Sequence, residues 1–228
     1  MKQVLLLLTF FLSLQIHAQK IDTVSVNKTA KNKTHLNQIY APSALIVVGM
    51  LADINFGKSL DADLYKARNK NIPHFNTKLD NYLQYSPILL AYGFDAVGMT
   101  SKTDIINRSV ILLKSELLMS ASVVSLKYVI GELRPDSSAR NSVPSGHTAQ
   151  AFAAAAFLSE EFGSRYKWVP YLSYSIASTV GALRIMNNKH YLSDVLIGAG
   201  IGILSTKISY WTHQYKWGSK KRNTSLQF

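Results

Sequence analysis

From Ala41 to about residue 212 the chain is a series of long apolar segments in which polar and apolar residues do not alternate. A half-buried strand needs a period of two, so this patterning favours helices. Six are predicted, near 42–56, 78–98, 105–130, 147–162, 169–186 and 191–212, with polar loops containing Gly or Pro between them. Pro87 interrupts "DNYLQYSPILLAYGFDAVGM" and is expected to kink or split that helix, because proline removes a backbone donor and clashes with the preceding turn. The fold class read from this pattern is all-α, a helical bundle. A chain of 228 residues suffices for one such domain.

The N-terminus has a different layout. "MKQVLLLLTFFLSLQIHAQK" places Lys2 before an apolar run and a small residue, Ala18, after it. That is the order of a secretory signal peptide, and the run is short for a spanning helix, which needs about 20 apolar residues. The expected organisation is a signal peptide over 1–18, a polar linker over 19–40, the helical domain over 41–212 and a basic tail over 213–228. An uncleaved anchor at 1–18 is the alternative.

Charge and membrane character bear on partners. Lys and Arg number 25 against 13 Asp and Glu, a formal charge of +12, which favours anionic partners. Basic residues interleaved with aromatics along one face are missing, so a nucleic-acid partner is not expected. The chain has no cysteine, which excludes disulfides and thiolate metal sites. His35, His74 and His213 have no second ligand at useful spacing, so no metal or other cofactor is expected. The candidate spans carry Asp53, Asp95, Lys114 and Glu116, each costly in lipid unless turned inward. "SDVLIGAGIGILSTKISYW" is the best span, and its Gly198 and Gly202 form a small-xxx-small pair that lets helices approach closely. The same pair serves equally at a tight crossing in a soluble bundle.

Three pieces at predicted helix ends carry chemistry. "KYVIGELRP" gives Lys127 and Arg134-Pro135, "NSVPSGHTAQ" gives Pro144-Ser145-Gly146-His147, and "RIMNNKHYLSD" gives Arg184, His190 and Asp194. Singly they are weak signals, since basic residues often complement a helix C-terminus and a His–Asp pair at i, i+4 is commonly a surface contact. Together they are coherent. Asp194 can accept from one ring nitrogen of His190 and leave the other free as a nucleophile. Lys127, Arg134 and Arg184 supply three charges suited to phosphate oxygens. Ser145 and Gly146 open a helix whose first-turn N–H groups can hold an anion, and His147 beside them can serve as acid and base. In an up-down bundle all these helix ends share one face.

The ordered set resembles the type 2 phosphatidic acid phosphatase / vanadium haloperoxidase superfamily, with ten specified positions in order over about residues 105–212. The resemblance implies a six-helix core and a metal-independent phosphatase that works through a phosphohistidine. By the match His190 is the nucleophile, Asp194 its orienter and His147 the acid/base, while Lys127, Arg134, Ser145, Gly146 and Arg184 hold the phosphate. One position departs: Leu183 stands where the family usually has a serine. A lost hydroxyl there costs one hydrogen bond, about 0.5–1.5 kcal/mol net.

The resemblance leaves the substrate open. The expected substrate is a phosphorylated lipid of the phosphatidate, undecaprenyl pyrophosphate or lipid A type, with membrane contact in a bacterial envelope and the site on the periplasmic side. A soluble secreted acid phosphatase is the alternative; a vanadate-dependent haloperoxidase and an inactive scaffold rank lower. If position 19 starts outside, three full spans before Arg134 would put the site inside, which makes the short 42–56 segment the suspect non-spanning one. "DNYLQY", residues 80–85, reads as a packing stripe or as a rim for an acyl chain. Asn27, Asn32 and Asn107 match an acceptor pattern common by chance.

Overall fold

The computed structural model describes residues 28–54 and 56–214. The described residues form eight helices and no strand: α1 (Lys28–Ile54), α2 (Phe56–Asn71), α3 (Leu79–Leu83), α4 (Ser86–Ala96), α5 (Ile105–Ile130), α6 (Gly146–Phe162), α7 (Val169–Met186) and α8 (Leu192–Trp211). The all-α reading holds.

The differences from the sequence reading have physical causes. The predicted 78–98 helix divides into α3 and α4, with Pro87 in the first turn of α4, where its missing N–H has no intrahelical acceptor to lose. Residues 28–40, expected within a polar linker, are instead the first half of α1. Pro42 reads as a helix start, yet it lies inside α1, and the helix continues upstream of it. Helix α2 was not anticipated; its composition is mostly polar, and Asp61 and Arg68 fasten it to the rest of the bundle. The proposed signal peptide, residues 1–18, lies outside the described residues, as does the tail beyond 214.

Helix α8 is the axis of the molecule. Two-thirds of its apolar window is buried, against 22% for α5. Its glycines set how close its neighbours come. A Cβ at Gly198 would lie 2.6 Å from the Ser145 carbonyl oxygen, and one at Gly202 would lie 2.2 Å from that of Ala149. The small-xxx-small pair therefore brings α8 against the start of α6 backbone to backbone. On the opposite side a Cβ at Gly200 would meet the Pro42 carbonyl at 2.5 Å, so α1 is held just as tightly.

These crossings set direction. Gln38 meets Trp211 while Gly49 meets Ser193, so α1 runs antiparallel to α8. Ser145 meets Gly198 while Glu161 meets Tyr210, so α6 runs parallel to α8. Helices α6 and α8 thus begin at one end of the bundle, and α5 and α7 finish there. The termini are locally encoded: Asp104 Oδ1 accepts from the N–H groups of Ile106 and Asn107 at 3.1 Å to start α5, and Gly131, at φ 61°, ends it in the left-handed region. Helix α8 borrows its start from α2. Asp61 accepts from the Leu192 and Ser193 N–H groups at 3.1 and 3.4 Å and from Ser193 Oγ at 2.7 Å.

Three of the four ionisable residues noted in the apolar segments are partnered, and the side chain of Asp53 lies outside the described residues. Glu116 accepts from Gln150 at 2.8 Å, Lys114 donates to Thr212 Oγ1 at 2.9 Å, and Asp95 pairs with Arg108. At the end of the bundle away from the helix starts, fully buried Glu161 accepts from the Thr103 N–H and hydroxyl and from the Tyr210 hydroxyl. Ala substitution separates the glycines that permit contact from those that do not. Gly202→Ala is expected to destabilise by about 1–3 kcal/mol through overpacking. Gly93→Ala, with nothing within 4 Å of its Cβ position, is expected to leave stability unchanged or raise it by up to about 1 kcal/mol. Thermal unfolding of the two purified variants beside the parent protein measures both.

Candidate active site

The motif residues Lys127, Arg134, Ser145, Gly146, His147, Arg184, His190 and Asp194 come together at the end where α6 and α8 begin. Lys127 sits in the last turn of α5, and its ammonium donates to the carbonyls of Asn141 and of Ser142, the latter at 3.3 Å. It thereby pins the returning loop beneath the start of α6. Arg134 occupies a tight turn closed by its own backbone, with its N–H on the Ala139 carbonyl at 3.0 Å and its carbonyl taking the Ser137 N–H at 2.9 Å.

Ser145 is the N-cap residue of α6, in extended backbone and fully buried, yet its hydroxyl does not cap. Oγ pairs with Thr148 Oγ1 at 2.9 Å, and the Ser145 N–H donates to the Asp194 carbonyl at 3.0 Å. No side-chain cap closes the first turn of α6. Gly146 comes close to Lys127, since a Cβ there would lie 3.9 Å from the lysine Cε.

Arg184 ends α7 and is buried. Its Nη1 donates to Asp80 Oδ2 at 2.5 Å, while its Nε has no acceptor. The Nε of Arg134 is likewise buried without a partner. Two guanidinium donors therefore stand unsatisfied in one region, an arrangement costly to fold unless an anion completes it. Leu183, at the departing motif position, is packed into the core beside Arg184.

His190 is 2% exposed, and its Nδ1 lies 3.3 Å from Asp194 Oδ2. The same oxygen accepts from the Tyr191 N–H at 2.9 Å and from Ser142 Oγ at 2.6 Å. With Nδ1–H directed at the carboxylate, the tautomer leaves Nε2 carrying the lone pair. Burial holds the His190 ring down at a pKa of about 4. Hydrogen bonding and charge from Asp194 oppose that shift, and Arg184 and Lys127 add to it. The ring is neutral at pH 7, the form a nucleophile needs. His147 is also lowered to about 4, by burial and then by the Arg184 charge, with Asp80 acting the other way. Its Nε2 lies 2.8 Å from Asn81 Oδ1.

Four residues of this region escaped the sequence reading. Ser142 bonds Asp194, Asp80 bonds Arg184, Asn81 bonds His147, and Asn187 joins Asp80 to the turn after α7. A short polar residue in a loop carries no sequence signal that separates such a role from ordinary turn chemistry.

Comparisons agree with this geometry. Residues 108–218 match the PAP2 superfamily. A lipid A 1-phosphatase from Porphyromonas gingivalis is 33% identical over 226 residues, covering 91% of this chain. The alignment takes in 49% of that relative, so the chain spans about half the length of the curated relative it matches. Among solved structures, the crystal structure of LpxE from Aquifex aeolicus overlays with a TM-score of 0.51 at 24% identity, covering 67% of this chain and 95% of that one. The overlay shows a shared fold. With the three motifs gathered at one end of an all-helical bundle and the family match running across them, residues 108–218 carry the features of the PAP2 superfamily.

Proposed function

We propose that the protein is a metal-independent lipid phosphatase that works through a phosphohistidine. The observation that carries this reading is the buried, neutral His190, held by Asp194 through one nitrogen beside two arginines whose Nε donors lack acceptors. A phosphate group satisfies those donors, and Lys127 and the α6 N-terminus add to its hold. His190 Nε2 then forms a bond to phosphorus as the P–O bond to the leaving group breaks, and His147, protonated on both nitrogens once the phosphate anion is bound beside it, gives its Nδ1 proton to the departing oxygen. In the second half His147 takes a proton from water, the water oxygen bonds to phosphorus, and the P–N bond breaks. Inorganic phosphate leaves and both rings are restored.

Lipid as substrate is supported by the outer surface. Leu113, Leu117, Val124 and Tyr128 of α5 are 59–91% exposed along one face, beside exposed Val47, Val48 and Leu51 of α1. An apolar band of this kind needs covering in water. Helix α5 has 26 residues, about 39 Å at 1.5 Å per residue, enough to cross a hydrocarbon core of about 30 Å. Among the lipid phosphates considered, the name of the Porphyromonas gingivalis relative favours the lipid A type.

The test is phosphate release in detergent with EDTA present, comparing phosphatidate, undecaprenyl pyrophosphate, a lipid A preparation and p-nitrophenyl phosphate. Preference for a lipid is expected. Equal or better turnover of p-nitrophenyl phosphate would make the protein a general acid phosphatase. His190→Ala should abolish turnover, Asp194→Asn should lower it by up to roughly 10⁴-fold, and His147→Ala by about 10²–10⁴-fold. Wild-type turnover in His190→Ala would refute the mechanism.

The site is placed on the periplasmic side of the envelope, supported by the signal-like leader in the sequence. Because the chain lacks cysteine, single cysteines can report its orientation. Asn76→Cys lies at the site end and Ser164→Cys at the opposite end, both on exposed residues. A membrane-impermeant maleimide on intact cells, with the outer membrane made permeable, should label the first and spare the second; the reverse pattern would put the site in the cytoplasm.

A further inference from the structure

The stretch 80–85 packs, as one sequence reading had it, but with its polar side inward. Asp80 and Gln84 are buried, while Tyr82 and Tyr85 face out. Helix α3 has five residues, too few to hold its own conformation, and it is fastened by side chains instead. The Thr77 N–H donates to Asn187 Oδ1 at 2.9 Å, and Asn187 Nδ2 donates to the Thr77 carbonyl at 3.0 Å and to Asp80 Oδ1 at 3.3 Å. Asp80, 1% exposed, receives Arg184. From α2, Arg68 donates through Nε to the Met186 carbonyl at 2.9 Å and through Nη2 to that of Phe75 at 3.0 Å. Every one of these bonds fixes the start of α3 on the turn that carries Arg184 and His190. The next residue, Asn81, faces the other histidine.

We propose that Asn81 is a positioning residue for His147. Its amide oxygen accepts the Nε2–H and fixes the ring plane and tautomer, while Asp80 anchors α3 on Arg184 so that the amide stands in place. The proposal rests on the reading of His147 as the acid/base. It makes the two histidines a pair: each is held through one nitrogen by a side chain, His190 by a carboxylate and His147 by an amide. A carboxylate stabilises a ring that becomes positive. A neutral amide orients the ring without opposing release of its proton, as an acid requires. The Asn81–His147 bond lies on the open side of the site and competes with water, so its effect on rate is modest, about threefold to tenfold.

Two readouts on the purified full chain test this. The first is the tautomer of His147 in ¹⁵N-histidine spectra, its signal among the six histidines identified by its loss in His147→Ala. Nε2-protonated His147 is expected in the parent protein, and a mixture of tautomers in Asn81→Leu; an unchanged tautomer in Asn81→Leu would overturn the proposal. The second is phosphate release from an alkyl phosphate and from p-nitrophenyl phosphate, whose leaving group needs little protonation. Asn81→Leu should lose about threefold to tenfold in kcat on the alkyl ester and little on the other, with Asn81→Gln, which keeps a neutral amide acceptor, restoring part of the loss. In a His147→Ala background Asn81→Leu should cost nothing further, and an additional loss there would overturn the proposal. If His147→Ala itself slows both esters equally, the acid role falls, while a tautomer shift in Asn81→Leu still supports Asn81 as the residue that orients the ring.

Discussion

Oδ2 of Asp194 accepts from the His190 ring, the Tyr191 N–H and the Ser142 hydroxyl, while the backbone carbonyl of the same residue takes the Ser145 N–H. Through these four bonds one residue joins the nucleophile, the start of α8, the loop returning from α5 and the start of α6. The carboxylate is fully buried, with three donors on Oδ2 and none on Oδ1 among the described residues. The arrangement requires α6 and α8 to begin side by side, which in turn requires hydrogen rather than carbon at Gly198 and Gly202. Catalytic geometry and helix packing are thus the same constraint seen at two scales.

The bundle separates its charges by end. At the site end Lys127, Arg134 and Arg184 repel one another, and Asp80 offsets part of that repulsion. Under the proposed function an incoming phosphate would supply the rest. At the other end the acids have full sets of partners: Glu160 pairs with Lys102 and Lys207, and Glu161 with Thr103 and Tyr210. That end has the bonding of a structural clamp.

Much of the site was legible in the sequence, for a physical reason. The proposed phosphate transfer to histidine demands particular residue types, and this bundle presents them at its helix ends, so spacing and order survive as motifs. The long helices were legible because Asp104 and Gly131 cap α5 with their ordinary chemistry and Pro87 opens α4. Helix α2 was not, because its role rests on Asp61 capping α8 and Arg68 holding the turn after α7, contacts between residues far apart in sequence. Ser142, Asp80 and Asn81 were hidden for the same reason. Pro42 misled the reading of α1, since tight packing against Gly200 holds a helix that proline would otherwise interrupt.

The central claim is that phosphate passes through His190. Its most direct measurement is a rapid quench of the purified enzyme turning over a ³²P-labelled lipid phosphate, followed by digestion and mapping of the labelled peptide under alkaline conditions that preserve phosphohistidine. The account predicts label on the peptide containing His190, appearing within one turnover and missing from His190→Ala. Turnover at the normal rate with no protein-bound phosphate, or with label on another residue, would contradict it.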